Sequence, residues 1–120
     1  MTLLLGVLFF VSCYNVEQNC NDFKTGTYKS EITIDDILYT SKFTRDSKLQ
    51  IEEFKGSIDS ASVRWINDCE MIFKTINPKN LNEKKDIHLK ILTTTTNSYK
   101  FEYGYVGDTN KRLGEAILMN

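Results

Sequence analysis

The chain has 120 residues, 15 Lys and Arg against 16 Asp and Glu for a formal charge of -1, and 41% hydrophobic residues. That length supports one domain with a core of its own, not two. Balanced, interspersed charge argues against the basic face that nucleic-acid binding requires, and the single proline with no Gly/Ser-rich tract argues against an interdomain linker.

Residues 3–12 carry no charge, are mostly Leu, Val and Phe, and end in Phe10-Val11-Ser12 before Cys13. A helix rises about 1.5 Å per residue, so this run reaches only about half way across a hydrocarbon core of about 30 Å. It is too short to span, and has the size of the apolar region of an export signal. A small residue before a cysteine also resembles the lipobox, where a lipoprotein signal is cut and the cysteine thiol is acylated. The pattern departs from the strict form in having Phe10 where Leu is preferred, and in having no basic residue before Lys24. The expected organisation is a signal over 1–12, a lipid-anchored polar tether over 13–22 and one domain over 23–120. The alternatives are plain export, or an N-terminal strand or helix with Cys13 as a core thiol.

Cys13, Cys20 and Cys69 are the three cysteines, an odd number for an exported chain. With Cys13 acylated, Cys20 and Cys69 remain as a pair in a compartment where disulfides persist. Bridging them would stabilise the fold by roughly 4 kcal/mol in the chain-entropy account. Two unrelated buried thiols are the alternative.

Beyond the tether the chain reads as strands. Tyr28, Ser30, Ile32 and Ile34 alternate with Lys29, Glu31 and Thr33, the period of a half-buried strand. Asp35-Asp36 turns into residues 37–44, with Tyr39 and Phe43 on one side, and Asp46-Ser47 turns into 49–54, closed by Lys55-Gly56. Residues 61–67 set Val63 with Trp65, and after a turn at Asn67-Asp68 residues 69–76 set Cys69 with Met71 and Phe73. Asn77-Pro78 has the form of a helix cap with proline at the first position, which predicts a short helix over 79–85, with a polar loop as the alternative. Residues 87–94 alternate again. After Asn97-Ser98, Tyr99, Phe101, Tyr103 and Tyr105 share a face; Gly107-Asp-Thr-Asn110 turns into 113–119, with a bulge expected at Gly114. The fold class is therefore all-β: an antiparallel meander of about eight short strands, curled into a small barrel or half-barrel to hide one face and protect its edges.

Three segments, Cys20-Asn-Asp-Phe-Lys-Thr-Gly-Thr27, Val63-Arg-Trp-Ile-Asn-Asp-Cys-Glu70 and Ile91-Leu-Thr-Thr-Thr-Thr-Asn-Ser-Tyr-Lys-Phe-Glu-Tyr103, resemble small lipoprotein-like proteins of flavobacteria and their relatives. The resemblance covers nearly the whole chain after Cys13 and implies no chemistry, because that family has no established activity. Some members carry the label "DNA topoisomerase IV", which is physically untenable here. This chain has no phosphate-cradling glycine loop, no basic DNA track, and far too few residues for the modules of such an enzyme.

Catalytic candidates are sparse. His88, the single histidine, alternates with Ile87 and Leu89 and is expected on the solvated face. The nitrogen and sulfur ligands for zinc are missing, Asp35-Asp36 and Asp108 to Asn110 lack the calcium-loop pattern, and no nucleophile motif is present. Glu52 and Glu53 are adjacent on a strand and point to opposite faces. The expectation is a protein that is not an enzyme and uses no cofactor or metal. The candidate ligand or partner site is Arg45, Glu52, Arg64, Trp65, Glu70 and Tyr103. It is read either as a polar site at a barrel mouth, where an arginine holds a carboxylate, or as cross-strand ion pairs on a solvated face, with Arg64 reaching Glu52 or Glu70.

Two functions follow. The favoured one is a lipid-anchored accessory protein, attached to the membrane through Cys13 and docking on an envelope partner. The alternative is a small β-barrel that binds an apolar or carboxylate-bearing ligand. The chain is short, so its own side chains are expected to fill most of the barrel. Tyr14 and Asn15 after Cys13 lack the aspartate that resembles an inner-membrane retention signal, and no acidic surface-export run follows. The expected address is the outer membrane, facing the periplasm, with no nucleic-acid partner.

Overall fold

The computed structural model describes residues 17–119. The signal over 1–12 and the acylation of Cys13 lie outside the described residues. A short 3-10 turn, η1 (Cys20–Phe23), precedes eight strands: β1 (Gly26–Ile34), β2 (Ile37–Arg45), β3 (Leu49–Phe54), β4 (Ser57–Asn67), β5 (Glu70–Thr75), β6 (Ile87–Thr94), β7 (Ser98–Tyr105) and β8 (Arg112–Leu118). Each strand pairs with the next, and β8 returns to β1 with Tyr28 opposite Leu118 and Ile32 opposite Gly114, closing the barrel. All pairs are antiparallel. Closure removes the exposed edges that an open meander of this length would present.

Local chemistry sets the hairpins. Asp35 and Asp36 have φ of 50° and 64°, and Lys55 and Gly56 have φ of 48° and 80°. Positive φ at both central residues gives type I′ turns, whose twist matches that of the flanking strands. Between β4 and β5 the Asn67 side chain accepts the Cys69 backbone N–H at 2.9 Å, so the turn runs through Asp68 and Cys69, one residue later than the sequence suggests.

Two expectations fail. No helix forms over 79–85; the segment is a series of turns. Asn77 has φ of 55°, not the extended geometry of a helix cap. The Asn80 side chain accepts the Glu83 N–H at 2.9 Å, diverting a donor that a helix would use, and Leu81 is left exposed with no apolar face to build on. Nor is there a bulge at Gly114, which pairs in register with both Ile32 and Phe101. The register shifts lie in β4 between Trp65 and Asn67 and in β6 between Ile91 and Thr93. Gly114 is instead a close approach: a Cβ there would stand 2.5 Å from the Phe101 ring and 2.9 Å from Ile32.

The two barrel ends differ. At the end where β1 starts and β8 finishes, η1 folds across the opening and buries Cys20 and Phe23 beneath Tyr28, Tyr99, Met71 and Ile91. Full burial of a side chain such as Phe23 contributes about 1.5–3 kcal/mol. Cys20 is bonded to Cys69, with their Cα atoms 5.3 Å apart. The segment read as a tether is held to β6 from Glu17 onward: Thr94 N donates to Glu17 O at 2.8 Å, and Gln18 Nε2 donates to Leu92 O at 3.0 Å. Among the described residues none folds across the opposite end, which forms a mouth.

Candidate functional site

The site follows from the parity of β2, β3 and β7. Inward positions of β2 are Tyr39, Ser41, Phe43 and Arg45; those of β3 are Gln50, Glu52 and Phe54; those of β7 are Tyr99, Phe101 and Tyr103. Large aromatic side chains concentrate toward the plugged end, where Tyr28 stacks on Phe43 with centroids 4.9 Å apart and Phe23 meets Tyr99 at 5.3 Å. Further toward the mouth, Ser30, Ser41 and Glu52 leave volume unfilled. The result is a partly open pocket of about 230 Å³ inside the barrel wall, lined by Ile32, Phe43, Glu52, Phe73, Phe101 and Tyr103 among others. A pocket of about 290 Å³ adjoins it, bounded by Ile34, Tyr39, Ser41, Glu52, Phe54 and Tyr103. A third, of about 280 Å³, adjoins it at Ile87 and Tyr103 and reaches Asp108 and Arg112 at the rim. Side chains fill most of the barrel, as chain length suggests, and the space that stays open lies between the aromatic core and the Tyr39 and Phe54 rings, where the inward positions of β1, β2 and β3 are Ser30, Ser41 and Glu52.

Arg45 does not sit at the mouth. It is 2% exposed, below the cavity at the plugged end. Its Nε donates to Lys24 O at 3.3 Å, Nη1 to Gln50 Oε1 at 3.1 Å, and Nη2 to Phe23 O and to the Tyr99 hydroxyl at 3.2 Å. The rings of Tyr28, Phe43, Trp65 and Tyr99 surround the guanidinium with centroids 5.2 to 5.8 Å away. Hydrogen bonds and cation–π attraction thus offset the cost of burying this charge. The same donors latch η1 onto the barrel. Burial pushes the Tyr99 hydroxyl up from its ordinary pKa, with Arg45 opposing, so Tyr99 stays neutral beside the cation. Trp65 belongs to this cage; its ring also carries Lys24 Nζ at 4.3 Å, and Lys24 lies 4.0 Å from Asp68.

Glu52 faces the cavity. It accepts a hydrogen bond from Ser41 Oγ at 3.3 Å, and no ion pair reaches it among the described residues. Burial raises its pKa, Ser41 opposes this, and the neighbouring Asp59 charge adds to the rise. Tyr103 stands across from Glu52 and forms wall in all three pockets.

Arg64 and Glu70 lie on the outer face. Arg64 is exposed and makes no ion pair among the described residues, so the expected bridges to Glu52 and Glu70 do not form. Glu52 points inward, and Glu70 is taken by His88 Nε2 at 2.9 Å and by the Asn67 side-chain amide. The Asn67 hydrogen bond is the main reason that the Glu70 carboxyl is held below its usual range, with His88 assisting. His88 is on the outer face, as its alternation with Ile87 and Leu89 predicts. Of the six candidates, the barrel brings Arg45, Glu52, Trp65 and Tyr103 inside, at two different depths. Sequence reasoning missed Tyr39, Ser41, Gln50 and Phe54; the alternation of β2 and β3 carries the signal that could have found them.

The rim is apolar. Ile37 and Leu38 after the Asp35-Asp36 turn, Ile58 after the Lys55-Gly56 turn, and Val106 beyond β7 are all exposed around the mouth. Among the described residues, no three His, Cys, Asp or Glu side chains gather where a metal could be held, and no helix is long and apolar enough to cross a membrane. Comparison of the chain with family models, with curated proteins and with solved structures gives no match.

Proposed function

We propose that this protein is a non-enzymatic binder that takes a small, largely apolar ligand into the barrel through the mouth, and that it works in the cell envelope, tethered through an acylated Cys13. The observation that carries the binding reading is the unfilled part of the interior: pockets of about 290 and 230 Å³ share Ile32, Glu52 and Tyr103 and run from the mouth toward Arg45. Ligand sites are mostly apolar cavities with a few placed polar groups, and this interior has that composition. The chain enters the barrel at the plugged end, where Glu17 and Gln18 bind β6, so a tether there leaves the mouth unobstructed. The carboxylate-bearing ligand expected from the sequence loses support, because the arginine meant to hold it spends its donors on Phe23, Lys24, Gln50 and Tyr99.

A second reading, docking on an envelope partner, is favoured by the exposed rim of Ile37, Leu38, Ile58 and Val106. Exposed apolar side chains around an opening are one mark of an interaction site. Native mass spectrometry of protein gently extracted from membranes separates the readings. A co-purifying small molecule that Tyr103→Trp displaces supports the binder. An empty barrel that also refuses every small apolar probe overturns it. On the same sample, a mass equal to the uncut, unmodified chain from Met1 would overturn the tether.

A further inference from the structure

We propose that the ligand enters with a positively charged end, an organic ammonium on an apolar body, and that Glu52 with the rings of Tyr39, Phe54 and Tyr103 selects that end. The inference rests on the binding reading above and names the ligand class. Glu52 is the one carboxylate that both the mouth pocket and the inner cavity share. A carboxylate held among Ile32, Phe43, Phe54 and Tyr103 costs free energy unless it is paired and hydrogen-bonded. Its single hydrogen bond, from Ser41 at 3.3 Å, is long, and no cation of the described chain lies within ion-pair distance. A barrel built only for strength would carry Leu or Gln at this inward position.

The surrounding rings supply the second half of the site. Aromatic faces attract ammonium groups within about 6 Å of the ring centroid. Two of these rings already do so with the chain's own ammonium: Lys55 Nζ lies 5.6 Å from the Tyr39 centroid and 5.3 Å from that of Phe54. Lys55 sits in the exposed turn and makes no ion pair with Glu52, so the carboxylate remains open to a cation from outside. Arg45 competes little for that role, since four aromatic rings and two backbone carbonyls already enclose it. Glu52 lies between Arg45 and the mouth, and an entering cation meets the carboxylate first.

The charged or titratable groups around Glu52 are Asp59, directly opposite on β4, Arg45 one inward pair deeper on β2, Tyr39 on β2 and Tyr103 on β7, and Lys55 at the hairpin turn. Asp59 reinforces the preference for a cation. Burial, and after it the Asp59 charge, raise the Glu52 pKa, so ammonium binding strengthens as pH rises and Glu52 ionises.

Three probes that share a phenethyl body test the inference: phenethylamine, phenethyl alcohol and hydrocinnamate, each titrated into the folded protein by calorimetry. The amine is expected to bind at least about tenfold more tightly than the alcohol at pH 8, the scale of one charge-assisted contact, and hydrocinnamate is expected to be weakest. Glu52→Gln, a near-isosteric change, should abolish the preference for the amine while alcohol binding persists. In the unaltered protein the ratio of amine to alcohol affinity should fall as pH drops from about 8 to about 4, a readout that needs no variant. Equal affinity for amine and alcohol, or an amine preference that survives Glu52→Gln, overturns the ammonium assignment and leaves the barrel reading standing. Failure of all three probes overturns both.

Discussion

The plugged end and the mouth of this barrel are made from the same eight strands and obey opposite rules. At the plugged end the Arg45 guanidinium and the tyrosine hydroxyls are matched, and the buried Trp65 indole N–H alone is left without a partner among the described residues. Arg45 uses its donors on two backbone carbonyls, an amide and a phenol, the Tyr28 hydroxyl donates to Thr25 O at 2.6 Å, and a disulfide staples η1 to the β4–β5 turn. At the mouth the inward carboxylate of Glu52 has one long hydrogen bond, the cavity is open, and large apolar side chains face solvent. Stability is concentrated at one end so that the other can remain incompletely satisfied. Unmatched polar groups and unfilled volume cost free energy, so the mouth end contributes less to stability than the plugged end.

The contrast can be broken most forcefully at the plug. Replacing Cys20 and Cys69 together by Ser releases a closure of 49 residues and should lower the unfolding free energy by roughly 4 kcal/mol in urea titration. A loss below about 1 kcal/mol would mean that η1 is held by packing alone. Next in size is Arg45→Met, which keeps apolar bulk but strands the carbonyls of Phe23 and Lys24 and the Tyr99 hydroxyl. The expected cost is about 3 kcal/mol by the same titration. An unchanged midpoint would show that the latch is dispensable. Between the two ends, Gly114→Ala forces the Phe101 ring to move and should cost about 1–3 kcal/mol, as overpacking does.

The mouth should respond with the opposite sign, and weakly. The folded-state pKa of Glu52 is raised, so the folded protein holds its proton more tightly than the unfolded chain does. The stability associated with Glu52 is therefore fully present below the ordinary glutamate pKa, about 4.3, and falls as pH rises toward the folded value. Glu52→Gln should raise the melting temperature by a few degrees at neutral pH, and the gain should vanish near pH 4, read by circular dichroism melts across pH. A variant that melts lower at neutral pH would mean that the Glu52 charge is structurally compensated, and the comparison between the two ends would fail.

Much of this was legible beforehand. Alternation placed Tyr28, Ser30 and Ile32 on one face, Tyr99, Phe101 and Tyr103 on another, and Glu52 opposite to Glu53, because a strand's side-chain period is a property of the chain itself. Asp35-Asp36 and Lys55-Gly56 carried turns that need no distant partner. The aromatic stripe of β7 shares one face in the sequence pattern yet divides by depth: Tyr99 and Phe101 are buried, Tyr103 is half-buried in the pocket wall, and Tyr105 reaches the rim beneath Lys85, whose Nζ is 5.2 Å from its ring. The Asn77-Pro78 helix failed because the capping pattern had no apolar stripe after it to bury.

The sequence by itself determined an all-β domain, the strand boundaries to within a few residues and the inward parity of most side chains, since these depend on neighbours one to four residues away. Only the tertiary structure decided that β8 meets β1, that η1 fills one end, and that Arg45 lies at the floor while Glu52 lines the way in. Those outcomes depend on how side chains from distant strands share one enclosed volume. Depth along a barrel is set by stagger between strands, which no periodicity within a single strand records.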